Sequence, residues 1–128
     1  MTKETFVEKI VEMGFVEDSG KYECEIDTGM GYPEIELNDE ETFTIMFSLY
    51  NPCSASEEED TDVIYGQMVE DAKTVLTKTI GEEPVIDVSW FAEDADTTFS
   101  YTRKFDVDFV NKFISAEYEV DKFLTQKY

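Results

Sequence analysis

Histidine is missing from this chain altogether, and cations are scarce: ten Lys and Arg stand against 31 Asp and Glu, with Arg103 the only arginine. Without histidine, serine and cysteine triads built on it cannot be assembled, and the commonest general base and transition-metal ligand are both lost. Only two cysteines occur, Cys24 and Cys53. They are too few for a disulfide framework and lack the paired spacing of a zinc site, so buried free thiols are expected, with a single bridge as the alternative. No apolar run approaches membrane-spanning length. The opening residues mix Lys3, Glu4, Glu8 and Lys9 where a secretory signal would carry an apolar core, and the expected free thiols point to a cytoplasmic protein. No Gly-x-Ser-x-Gly elbow is present, and Gly29-Met30-Gly31 continues to Glu34 where a dinucleotide fingerprint needs glycine. No enzymatic activity and no cofactor are expected.

The chain has an excess of carboxylate and an ample apolar complement. Ten Phe, seven Tyr and one Trp supply a core, and 128 residues suit one domain spanning residues 1–128. The formal charge of −21 repels phosphate backbones and anionic bilayers, so direct binding to nucleic acid or to a membrane is disfavoured. A basic protein is the complementary partner. Between Lys21 and Lys73 the run Tyr22 to Ala72 carries fifteen Asp or Glu and no Lys or Arg. Ordinary surfaces intersperse the two signs.

Hydrophobic periodicity places this charge on ordered structure. A helix is expected over Lys3 to Met13, capped by Thr2 and ended by Gly14, with Phe6, Val7, Ile10 and Val11 as its apolar stripe. Phe15 supplies the hydrophobic contact that follows a C-terminal glycine, and Asp18-Ser19-Gly20 form a turn. Lys21 to Asp27 alternates as a half-buried strand, with Tyr22, Cys24 and Ile26 opposite Glu23, Glu25 and Asp27. A Gly-rich turn leads to a short strand in which Ile35 and Leu37 oppose Glu34 and Glu36, and an acidic turn over Asn38 to Glu41 leads to the most apolar strand, Thr42 to Tyr50. Ser56 and Glu59 form a capping box for a helix reaching Ile80, buried through Ile64, Met68, Ala72, Val75, Leu76 and Thr79. Val85 to Phe91 and Thr97 to Phe105 form a hairpin. Asp106 caps a last helix, buried through Phe109, Val110, Phe113, Ala116, Val120, Phe123 and Leu124. The expected fold is α+β in the order α-β-β-β-α-β-β-α: a mainly antiparallel five-stranded sheet with helices on one face.

The acidic face is the candidate site: Glu23, Glu25 and Asp27 on one strand, Glu34 and Glu36 on the next, Asp39, Glu40 and Glu41 in the turn, and Glu57, Glu58, Glu59, Asp60 and Asp62 at the start of the middle helix. Alternate strand positions recur at roughly 6.6 to 6.8 Å, close to the axial rise of two phosphates on one DNA strand. The plainer reading makes these the outward positions of half-exposed elements, giving solubility only. The pairs Asp60 with Asp62 and Asp94 with Asp96 place oxygen ligands two residues apart, but the full calcium-loop pattern fails at both, so no metal is expected. Glu117, Glu119 and Asp121 on the final helix give a comparison set outside the acidic stretch. In composition only, the chain resembles phage-encoded nucleic-acid mimics that block host defence proteins and immunity proteins that neutralise nucleases. The resemblance implies an inhibitor of the anti-CRISPR, anti-restriction or nuclease-immunity type. The alternative is a structural or regulatory domain that meets a neutral partner through an apolar helix face or a sheet edge. A divalent-metal-dependent enzyme is a distant third.

Self-repulsion at this net charge should be relieved by salt, over a screening length of about 10 Å at roughly 0.1 M. The melting temperature is therefore expected to rise from low to moderate ionic strength in thermal scans.

Overall fold

A computed structural model describes residues 1–24, 33–50, 61–91 and 94–127. The elements are α1 (Lys3–Glu12), β1 (Phe15–Asp18), β2 (Lys21–Cys24), β3 (Glu34–Leu37), β4 (Thr42–Tyr50), α2 (Thr61–Ile80), β5 (Val85–Phe91), β6 (Asp94–Lys104) and α3 (Val107–Lys127). All strand pairs are antiparallel, in one sheet of order β1-β2-β3-β4-β6-β5. The fold is α+β with the helices on one face, but the sheet has six strands rather than five.

The additional strand is β1. Gly14, at φ 107°, ends α1 as expected, and the chain then pairs Phe15 with Cys24 and Asp18 with Lys21. Four residues with only Phe15 buried leave no alternation to read in the sequence. Ser19 and Gly20 close this hairpin at φ 54° and 87°, the left-handed pair that a two-residue turn between twisted strands requires. Both expected caps form: Thr2 Oγ1 accepts from the Thr5 N–H at 3.2 Å, and Asp106 Oδ1 accepts from the Phe109 N–H at 3.3 Å. β6 begins at Asp94 instead of Thr97, because its pairing with β4 and β5 continues through Tyr50 opposite Asp96 and Phe91 opposite Asp94. The Ser56 and Glu59 capping box lies outside the described residues.

The core occupies the helix-covered face. Phe43, Ile45, Phe47 and Leu49 of β4 are buried there, beside Thr97, Phe99 and Tyr101 of β6. Phe6 of α1 packs against Phe43 in a tilted pair and stacks on Phe105, with ring centroids 4.7 and 4.8 Å away, and the Phe113 ring of α3 lies 5.9 Å from that of Phe47. α2 packs along α3, with Met68, Ala72 and Leu76 buried and the Tyr65 hydroxyl donating to the Leu49 carbonyl at 3.1 Å. Three expected apolar-stripe positions fall outside it: Val11 is 51% exposed, Thr79 is exposed and Phe123 is 42% exposed. Ile80, Tyr65 and Glu117 are buried in their place. A small rotation of each helix about its axis accounts for the exchange, since the stripe is only about 100° wide.

Truncating Phe113, which is fully buried, should cost about 3–5 kcal/mol, whereas Phe123→Ala on the same helix should cost about 1 kcal/mol or less. Urea unfolding of the two variants checks the pair.

Candidate functional site

The opposite face of the sheet carries none of the three helices, and the strand registers determine what it presents. Along β4 and β6 it shows Thr42, Thr44, Met46 and Ser48 beside Thr98, Ser100, Thr102 and Lys104. Hydroxyls bridge these strands: Thr44 to Thr102 at 2.8 Å and Ser48 to Thr98 at 3.1 Å. Carboxylates flank this polar centre. Glu23 lies opposite Glu34, which lies opposite Met46, and Lys21 lies opposite Glu36, which lies opposite Thr44. Register adds Asp18 beyond Lys21, Asp87 opposite Thr98, and Asp96 two positions before Thr98 on the same face. Among the described residues, Asp18, Glu23, Glu34, Glu36, Asp87 and Asp96 thus share this face with Lys21 and Lys104.

Like charges directly across a sheet destabilise, and Glu23 with Glu34 is such a pair. Glu34 is half-buried, and that burial pushes its carboxyl above the ordinary carboxylate range. Lys21 opposes the rise, while Glu23, with which it shares a hydrogen bond, and Asp96 add to it. Burial raises Asp96 as well, partly offset by a hydrogen bond from Ser48.

The acids of the β3–β4 turn behave differently. Asp39 accepts the backbone N–H groups of Glu41 and Thr42, each at 2.7 Å, and these bonds hold its carboxyl below the ordinary range. Its carboxylate shapes the turn. Glu40 pairs with Lys3 at 3.4 Å across an exposed contact, and Glu41 is exposed. The cation-free run in sequence is therefore not free of cations in space: Lys3 and Lys104 approach it from other elements, and Lys21 of β2 stands opposite Glu36.

Of the residues expected to form the site, Glu23, Glu34 and Glu36 come together on the sheet, and Asp39, Glu40 and Glu41 follow at its end. The described start of α2, at Thr61, lies apart from them. α2 begins beside the Leu49 end of β4, whereas the turn lies at its Thr42 end, some nine residues or roughly 26 to 30 Å away. Glu25, Asp27, Glu57, Glu58, Glu59 and Asp60 lie outside the described residues, as does Cys53, and Asp62 is described only as a backbone position of α2. Cys24 is a buried free thiol. Asp94 and Asp96 sit in β6 instead of a loop, and among the described residues no group of three Asp, Glu or Cys is placed to hold a metal. Asp18, Asp87 and Asp96 are the acids that sequence reading missed. Alternation marks Asp87 as outward-facing on β5, but only the strand pairing brings Asp18, Asp87 and Asp96 to this face.

The whole chain divides the same way. The three helices contain ten acids and seven of the ten cations, while the remaining residues contain 21 acids and only three cations, Lys21, Arg103 and Lys104. Nearly all the net charge belongs to the sheet and its connections. No described helix is long and apolar enough to cross a membrane. Compared with models of known protein families, with curated proteins and with solved structures, the chain matches none.

The elevated Glu34 carboxyl has a definite sign for stability. The folded chain holds that proton more readily than the unfolded chain, so the group favours folding below its ordinary value of 4.5 and loses this contribution as pH rises through the higher folded value. Glu34→Gln is expected to raise the melting temperature at roughly pH 7, and the gain should shrink on acidification to roughly pH 4. Thermal unfolding of both proteins at the two pH values checks it.

Proposed function

We propose that this chain is a non-enzymatic cytoplasmic protein whose acidic sheet face occupies a cationic, nucleic-acid-binding groove on a basic protein and blocks it. The observation that carries the reading is the division of charge: 21 acids against three cations outside the helices, and near balance within them. Solubility alone would be served by acids spread over every surface. The six described acids that share one sheet face, Asp18, Glu23, Glu34, Glu36, Asp87 and Asp96, give instead an ordered anionic array, in which alternate positions such as Glu34 and Glu36 lie roughly 6.6 to 6.8 Å apart and neighbouring strands roughly 4.8 Å apart. A groove lined to receive phosphates at about 3.4 Å of axial rise per step along each strand meets one such carboxylate for about every second phosphate.

The binding energy in this reading comes from desolvated charge pairs at the centre, while the long-range field accelerates encounter. Rigidity matters because carboxylates held by paired strands lose less freedom on binding than those on a disordered acidic tail. The partner class is a nucleic-acid-binding defence protein or nuclease, and the outcome is inhibition of an anti-CRISPR, anti-restriction or nuclease-immunity kind.

Reversal of position-matched charges tests it. Asp18, Glu23 and Glu36 changed together to Lys alter the sheet face, and Glu8, Glu70 and Glu119 changed to Lys alter net charge equally on the exposed surfaces of the helices. Glu117 is unsuitable for the comparison because it is fully buried. Binding to a basic nuclease-type partner captured from the source cells should fall at least about a hundredfold for the sheet set and much less for the helix set. Nucleic acid should compete for the same groove, and affinity should fall steeply with salt. Equal loss from both sets would reduce the effect to bulk charge.

A further inference from the structure

The outer flanks of α2 and α3 enclose a groove of about 520 Å³, within the roughly 300–1,000 Å³ range of small-molecule sites. The two helices run antiparallel. Glu82, just beyond α2, binds Arg103, whose guanidinium lies over the Phe109 ring near the start of α3, while Asp71 in the middle of α2 bonds Lys127 at the end of α3 at 2.8 Å. That second pair lies at one end of the groove. Val75 of α2 and Phe123 of α3 are its apolar lining. Val75 is half-buried, whereas Phe123 is 42% exposed on a helix that buries its other two phenylalanines. Toward the other end, Lys78 stands on one wall and Lys122 on the other, both exposed. Among the described residues neither makes an ion pair. Of the two acids that line the groove, Asp71 is engaged by Lys127, so only Glu119 stands against these two ammonium groups.

We propose that this groove binds a small amphipathic carboxylate, its apolar body against Val75 and Phe123 and its carboxylate held by Lys78 and Lys122. Two apolar side chains seat an alkyl or aryl body, but they are too few for the i, i+3, i+4 and i+7 anchors that hold a docked helix. The lysines select the head group. Their ammonium groups face the same groove from two helices fixed by core packing, and their methylene stems add apolar contact along the body of the ligand. Charge number narrows the class further, because a carboxylate carrying one charge meets less repulsion from a chain of formal charge −21 than a phosphate dianion does. The groove stands on the helical side of the molecule, away from the acidic sheet face, so neither proposal depends on the other.

Decanoate, decanol and decylammonium share one alkyl chain and differ in head charge, and each can be titrated below its micelle-forming concentration into the isotope-labelled full chain. Net charge alone ranks decylammonium first and decanoate last. The proposal reverses that order at the groove: decanoate should shift the resonances of Thr74, Val75, Phe123 and Gln126 with an affinity at least about threefold above that of decanol. Changing Lys78 and Lys122 together to Gln, at exposed positions that leave the core untouched, should remove this advantage without altering decanol binding. Lys9→Gln with Lys112→Gln, at exposed positions that do not line the groove, should retain it. No decanoate binding, or binding undiminished by the Lys78 and Lys122 substitutions, would overturn the proposal, as would shifts that fall mainly outside the groove. Equal affinity for decanoate and decanol would make the groove an apolar contact for a neutral partner and equally reject the carboxylate.

Discussion

The structure depends on the aromatic layer at the centre of the sheet. Phe43, Phe47, Phe99 and Tyr101 project from adjacent strands toward one side, and no single helix is wide enough to cover them. α1 closes one end through Phe6, α3 crosses the middle through Phe109 and Phe113, and α2 reaches the far end through Tyr65, whose hydroxyl also bonds Thr97. Each fully buried aromatic of this layer contributes several kcal/mol that the opposite face cannot match. With one face so covered, the other is mostly polar, with Val16, Met46 and Val85 as its apolar members. That face accordingly carries hydroxyls down its centre and carboxylates around them.

Charge follows from the same arrangement. A helix packed on a sheet shows its outer flank to water, and these three satisfy that flank with both signs, including the pair of Lys127 with Asp71 at 2.8 Å between α3 and α2. Exposed pairs of this kind contribute little stability each, but they keep the helical surface near neutrality. The sheet has no such balance. Glu23 and Glu34 face each other across two strands, and the Glu34 carboxyl is raised chiefly by its burial, with Glu23 and Asp96 adding to the rise. Carboxylates maintained against their own repulsion are the feature that the inhibitory reading accounts for, and a purely solubilising role does not require it.

Much of this was legible in the sequence, and the failures have identifiable causes. The period-2 pattern of Thr42 to Tyr50 gave β4 to the residue, and Thr2 and Asp106 marked two helix starts by cap chemistry. β1 was hidden because a four-residue edge strand with one buried side chain has no period. Glu117 was hidden because its carboxylate is buried inside a stripe where sequence reading assigns charges to water. The acidic site was half legible: Glu23, Glu34 and Glu36 follow from alternation, but linear density overstated the cluster. Lys3, Lys21 and Lys104 return to it through the fold, and the turn and the start of α2 lie at opposite ends of β4. Asp18, Asp87 and Asp96 reach the same face only through strand pairing.

The central claim is that negative potential is concentrated on the helix-free face of the sheet. The most direct test compares proton relaxation enhancement by cationic and anionic nitroxide cosolutes, residue by residue, at low salt, where the screening length is roughly 30 Å at 0.01 M. The account predicts a strong excess of the cationic probe around Lys21 to Glu23, Glu34 to Glu36 and Ser48, and a much smaller excess along the outer surfaces of α2 and α3. A ratio of the two probes that is uniform over both surfaces would contradict it.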